Sequence, residues 1–168
     1  MNLESAESTW PLRLAETRDA SAIAAVLLAA FAEFKRLYTP DAFAATTPGA
    51  EEIKTRMDEG PVWVVRRNDL IVGTASALRK DAGLYLRGMA VLPAARGQAI
   101  GHGLLSETER YATAHDCRRL FLSTTPFLSG AIRLYEQFGF SRSNEGPHDL
   151  FGTPLVTMEK LLTSGRND

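Results

Sequence analysis

Met89-Ala90-Val91-Leu92-Pro93-Ala94-Ala95-Arg96-Gly97-Gln98-Ala99-Ile100-Gly101-His102-Gly103-Leu104-Leu105 reads as a strand, a proline, a turn of small residues and the start of a helix. From Gly101 to His115 the apolar and small positions Leu104, Leu105, Thr108, Tyr111 and Ala112 recur at helical spacing, which gives that helix an inward face. A helix start leaves backbone N–H groups unpaired and carries roughly half a positive charge, so a diphosphate lodged there takes several hydrogen bonds without a metal. Small residues at 97, 99, 101 and 103 let phosphate oxygens approach the main chain. A plain strand-to-helix turn accounts for the same glycines when they are taken alone. Two other phosphate loops do not fit: a Walker loop ends in Gly-Lys-Ser/Thr, and a dinucleotide fingerprint needs a third glycine, whereas Gly103 is followed by Leu104, Leu105 and Ser106.

Working outward, three strand candidates precede this stretch: Val62 to Arg67, Leu70 to Leu78 and Leu84 to Leu92. The links at Asn68-Asp69 and Asp81-Ala82-Gly83 are short enough to imply antiparallel neighbours. On the far side, Arg119 to Thr124 reads as a buried strand, so strand, helix and strand form a parallel crossover, expected to be right-handed. A helix from Gly130 to Phe138 ends at Gly139, and strands near Phe140 and from Leu155 to Leu161 finish the chain. Upstream, Asp19 is placed to cap a helix carrying Ile23, Val26, Leu27, Ala30, Phe31 and Phe34 on one face. Pro40, Pro48 and Gly49 divide the following segment into a short helical piece and another around Glu51 to Glu59, closed by Gly60-Pro61. The expected architecture is α/β: a mixed, mostly antiparallel open sheet with one parallel β-α-β crossover, flanked by helices.

With 168 residues and 45% apolar content the chain suits one domain with a real core. We expect that domain over 11–163, between a loose tail at 1–10 and a short one at 164–168. The net charge of -1 and the scattered pairs Arg66-Arg67, Arg79-Lys80 and Arg118-Arg119 argue against a nucleic-acid partner. Cys117 is the one cysteine; it offers neither an internal disulfide nor a structural zinc site and suits a reducing, cytoplasmic setting. Ala22 to Ala32, the longest apolar run, is too short to span a bilayer, and the acidic segment before it is unlike a secretory leader. We therefore expect no membrane partner and no metal. Open sheet edges can pair between chains, so a homodimer is compatible with the reading.

The quoted stretch resembles the acyl-CoA signature of the GCN5-related N-acetyltransferases (GNAT), Arg/Gln-x-x-Gly-x-Gly/Ala. Ala131-Ile132-Arg133-Leu134-Tyr135-Glu136-Gln137-Phe138-Gly139-Phe140 resembles the later motif of the same family, in order and at a fitting separation. The upstream strands and Met158-Glu159-Lys160-Leu161-Leu162 extend the likeness over Leu12 to Leu162. The chain departs from the pattern at Ala99, where a glycine is usual, and at Leu128, where many members carry asparagine. A methyl at Ala99 is expected to crowd a phosphate or to demand an unfavourable backbone angle, and so to weaken CoA binding.

The resemblance implies the GNAT fold and transfer of an acetyl group from acetyl-CoA, the co-substrate, to a primary amine by direct attack. The acceptor would be a small molecule, an amino acid or a protein amino group. It also implies that the strand at Met89, Ala90 and Val91 lines the pantetheine arm. Arg96, Gly97, Gln98, Ala99, Ile100, Gly101 and the amide of His102 would hold the diphosphate, and Tyr135 would give a proton to the departing thiolate. Acceptor candidates are Glu33, Phe34, Tyr38 and His148. Each has a plainer reading, as a solvated helix end for Glu33, as core for the aromatics Phe31, Phe34, Tyr38 and Phe43, and as a loop residue for His148. A non-catalytic acyl-CoA-binding regulatory module is the alternative.

Overall fold

Val62-Trp63-Val64-Val65 is apolar at every position, which suits a strand covered on both faces. In the computed structural model, which describes residues 10–163, this segment lies inside a seven-stranded sheet. The strands are β1 (Leu12–Leu14), β2 (Val62–Arg67), β3 (Leu70–Lys80), β4 (Gly83–Val91), β5 (Arg119–Thr124), β6 (Ser141–Ser143) and β9 (Val156–Leu161), in the order β1-β2-β3-β4-β5-β9-β6. Alternation in β2 sends Trp63 and Val65 into one core and Val62 and Val64 into another. Of the tails expected at 1–10 and 164–168, residues 1–9 and 164–168 lie outside the described residues, whereas Trp10 is no loose tail residue but packs, half-buried, against the first core.

The helices are α1 (Ala20–Phe31), α2 (Pro40–Thr46), α3 (Ala50–Glu59), α4 (Ile100–Ala114) and α5 (Ser129–Phe138). Ile23 and Leu27 of α1 and Ile53 of α3 are buried with Val62 and Val64 on one face, and Ile100, Leu104 and Leu105 of α4 are buried with Trp63 and Val65 on the other. Every sheet pairing is antiparallel except β4 with β5, joined through α4. The mixed sheet with one parallel crossover is the architecture the periodicities imply.

Three local readings need adjusting. Asp19 does not cap α1 through its side chain; its carboxylate accepts from the Glu16 amide at 2.7 Å and pairs with Arg13 at 2.7 Å, closing a 3-10 turn over Thr17–Asp19 instead. The strand expected near Phe140 begins at Ser141, because Phe140 turns into the core after Gly139, whose φ of 107° ends α5. Between β6 and β9 a small hairpin, β7 (Asp149–Leu150) and β8 (Thr153–Pro154), stands apart from the main sheet. Thr39, the N-cap of α2, ties it down: its amide donates to Thr153 Oγ1 at 3.0 Å and its hydroxyl to the Phe151 carbonyl at 2.7 Å.

Candidate active site

Pro93-Ala94-Ala95 makes a 3-10 turn after β4, and the chain then enters α4 through Arg96 to Ala99. Gly97 and Ala99 both adopt left-handed backbone, with φ of 77° and 61°. A glycine takes that conformation freely; an alanine takes it at a cost. The first bond into α4 runs from the Gly103 amide to the Ala99 carbonyl at 3.0 Å. The amides of Ile100, Gly101 and His102 ahead of it have no acceptor within the helix and carry the partial positive charge of its start. Side chains brace this loop from two directions. Gln98 accepts from Trp10 Nε1 through its carbonyl at 3.2 Å and from Arg67 through its side chain at 3.3 Å. Arg96 turns toward the end of α1, where its guanidinium pairs with Glu33 and donates to the Ala30 carbonyl at 3.1 Å.

The sheet parts next to this loop. β4 and β5 pair only at Leu84 with Leu120 and Tyr85 with Phe121, so β4 from Leu86 onward has one edge without a strand partner. Two cavities open along that gap. The first, about 410 Å³, is lined by Met89, Ala90 and Val91 of β4, by Arg96, Gly97 and Ala99 to His102 of the loop, and by Gly130, Ala131, Leu134 and Tyr135 of α5. The second, about 490 Å³, lies on the other side of the gap, among Phe31, Tyr38, Arg56, Arg87, Leu128 and Leu155. Met89, Ala131 and Tyr135 line both. A third groove, about 600 Å³, runs between α1 and the start of β3 and contains none of these residues.

Tyr135 therefore stands where the two spaces meet. It is 7% exposed, and its hydroxyl makes no hydrogen bond among the described residues. Burial, with a smaller contribution from Tyr38, pushes its pKa up from 10.0 to about 12, so the phenol stays protonated across the neutral range. Tyr38 is raised in the same sense by burial, with the neighbouring hydroxyls of Thr125 and Thr46 working against it.

The four acceptor candidates separate. Tyr38 lines the second cavity, edge-on to Phe127 at 4.9 Å. Phe34 packs tilted against Phe127 at 6.4 Å, outside the lining, so it serves the small apolar cluster of Tyr38, Ala42 and Phe43. Glu33 is engaged with Arg96, and the exposed His148 lies between the lining residues Pro147 and Asp149 without joining them. Leu128 does line the cavity, ahead of α5, and caps that helix with no side-chain bond.

A model of the acetyltransferase (GNAT) family matches residues 28–140, two thirds of the chain, from the last turn of α1 to just past the end of α5. The chain belongs to this family. An Azospirillum brasilense protein named IAA acetyltransferase is 36% identical over 103 residues, 59% of this chain and 66% of the relative, so the match spans just under two thirds of that protein. Among solved GNAT structures, a PaiA N-acetyltransferase from Thermoplasma acidophilum, in complex with coenzyme A, superposes with a TM-score of 0.79 at 13% identity. The superposition covers 92% of this chain and 99% of that one. A ribosomal-protein-alanine N-acetyltransferase from Brucella melitensis gives 0.70 at 25% identity, covering 90% and 99%. The loop presents free amides at a helix start, the chemistry that receives a diphosphate. Among the described residues no His, Cys, Asp and Glu side chains group in a way that holds a metal, and no helix is long and apolar enough to cross a membrane.

Sequence reasoning missed the residues that brace the loop and one that lines the second cavity. Trp10 and Arg67 lie far from Gln98 along the chain, and no local pattern connects them. Arg56 is buried in the second cavity although it sits in a helix rich in charge. Its spacing of three from the buried Ile53 was the available signal.

Proposed function

We propose that this GNAT protein moves the acetyl group of acetyl-CoA to a primary amine by direct attack, with Tyr135 as the proton donor to the leaving sulfur. The observation that carries the reading is the meeting of two cavities at Met89, Ala131 and Tyr135. One has the shape and the backbone donors for a nucleotide thioester, and the other remains open for an acceptor of ordinary ligand size. A non-catalytic binding module would have no use for the second space.

Acetyl-CoA supplies an acetyl group already activated as a thioester. The chain's own residues do the rest. The amides from Gly97 to His102 hold the diphosphate, and the unpaired edge of β4 at Met89, Ala90 and Val91 offers main-chain groups to the pantetheine arm, as an added strand would use them. Arg96 contributes by fixing the loop to α1 rather than by pointing at phosphate. An amine with a pKa near 10.4 is only about 0.04% neutral at pH 7, so a proton must leave before attack. With Glu33 paired and His148 outside the lining, we assign that proton to water in the open cavity. Tyr135, protonated and without an internal partner, then donates toward the sulfur as the carbon–sulfur bond breaks. Cytoplasmic residence belongs to the same reading, and the lone buried thiol of Cys117 is compatible with it.

The test uses thermal shift with acetyl-CoA and thiol release with an amine panel. Binding that stabilises the fold, together with acceptor-dependent release, is the expected result. Tyr135→Phe should keep the thermal shift and slow release at least tenfold. An unchanged rate would remove Tyr135 from the reaction.

A further inference from the structure

The second cavity has an imbalance of charge that acetyl transfer alone does not explain. Three charged residues line it: Arg56 from α3, Arg87 from β4 and Asp149 from β7. Arg56 is 7% exposed, a degree of burial that guanidinium groups reach when a carboxylate or phosphate pairs with them. Its ion pair is a loose one: Glu52 lies 3.7 Å away, beyond hydrogen-bonding distance, and is itself mostly exposed. The Nε atoms of Arg56 and Arg87 are both buried and unsatisfied, although Arg87 gives one amino group to Glu59 at 2.8 Å. Asp149 spends its carboxylate on the Gly152 amide, at 3.0 Å, in its own hairpin turn.

The backbone is shaped around the Arg56 head. β4 carries a bulge opposite β3, where pairing jumps from Thr74 with Ala90 to Ser76 with Arg87. Within it Gly88 takes a φ of 73°, and a side chain there would begin 2.9 Å from Arg56 Nη1. The bulge thus clears a seat for the guanidinium at the cavity wall and turns Arg87 toward the same space. The ion pairs these two cations have, Arg56 with Glu52 and Arg87 with Glu59, still leave both buried Nε donors without an acceptor, which is costly for a fold to maintain.

We propose that the acceptor is an amine that also carries a carboxylate, an amino acid in free form, whose acid group is received by Arg56 and Arg87 while its amino group reaches the junction at Met89 and Tyr135. This rests on the acetyl-transfer reading above and names the substrate class of that site. Phe31, Tyr38, Leu150 and Leu155 on the remaining wall suit an apolar side chain on that amino acid. Arg56 is a binding residue for the acceptor and takes no part in proton transfer.

The experiment compares phenylalanine, phenylalaninamide and phenethylamine as acceptors with the full chain and acetyl-CoA, read by thiol release, alongside CoA binding by calorimetry. Similar sets built on leucine and methionine widen the panel. The expected result is a kcat/KM for the amino acids at least tenfold above those of their amides and amines. Arg56→Gln should remove most of that preference through KM with CoA affinity unchanged, and Arg56→Lys should restore part of it. Arg87→Gln gives a second, independent reduction if the first variant does not fold. Amides that react as well as acids, or CoA binding with no turnover of any amino acid, overturn the proposal while the co-substrate site stands. Absence of CoA binding is a different failure and sinks the acetyl-transfer reading itself.

Discussion

Ala99 holds a left-handed backbone at the entrance to α4, a conformation that costs a residue with a Cβ about 1–2 kcal/mol. Ala99→Gly should raise stability by about 1 kcal/mol, measured by urea denaturation, against the small entropic loss that glycine brings. The change also removes a methyl from the nucleotide cavity, so calorimetry should show tighter CoA binding; equal or weaker binding would mean that the methyl does not limit the contact. At Tyr135 the raised pKa has a stability consequence of definite sign. The unfolded phenol ionises near pH 10 and the folded one near 12, so the contribution is whole below pH 10 and is lost as pH climbs toward 12. The loss is about 3 kcal/mol for a two-unit displacement of a buried group. Denaturation at pH 9 and pH 11 should show about half of it, and Tyr135→Phe should flatten the difference. Glu33 is half-exposed and tied to Arg96. Glu33→Gln should change turnover only a few-fold, with stability altered by under about 1 kcal/mol; a hundredfold fall would identify it as the base that takes the amine's proton.

At the scale of elements, α4 and α5 meet through Gly101, where an added Cβ would stand 2.7 Å from Leu134 Cδ2. The small residue read from sequence as room for phosphate therefore also lets two helices approach. Gly101→Ala should cost about 1–2 kcal/mol, and pairing it with Leu134→Ala should recover part of the loss in a double-mutant cycle. Strict additivity would show that the contact does not matter. The longer elements were legible because burial repeats along them: β2 is apolar and buried from Val62 to Val65, and α4 places Leu104, Leu105, Thr108 and Ala112 inside. β7 and β8 were not, since two residues apiece present no period, and what holds them is a threonine more than a hundred positions upstream. Asp19 was misjudged for a related reason: an acid before a helix has several nearby donors, and Arg13 together with the Glu16 amide outcompetes the helix start.

Over the whole molecule, the nucleotide side of the site is local in sequence and the acceptor side is not. Residues 89 to 102 carry strand, turn and helix start in one run, so their joint purpose is visible in a string. The acceptor cavity gathers α1, α3, β4, α5 and the late hairpin, and only folding brings Phe31, Arg56, Arg87, Tyr135 and Leu155 together. Arg56 illustrates the difficulty, because a cation in the run Glu51 to Glu59 looks like one member of a solvated face. CoA contacts the loop, the edge of β4 and α5 in one act under this reading, so its binding should protect the molecule globally. At a hundred times its dissociation constant the gain should be about 2.7 kcal/mol, visible as a rise in melting temperature. A shift that tracks CoA concentration without Tyr135 or an acceptor would separate holding the nucleotide from using it.

The indole of Trp10, hydrogen-bonded to the carbonyl of Gln98, gives the protein a built-in optical probe. The second tryptophan, Trp63, is 2% exposed in the core and should emit as a constant background. Indole emission would thus follow occupancy of the loop through one ring, without any dye, label or engineered residue.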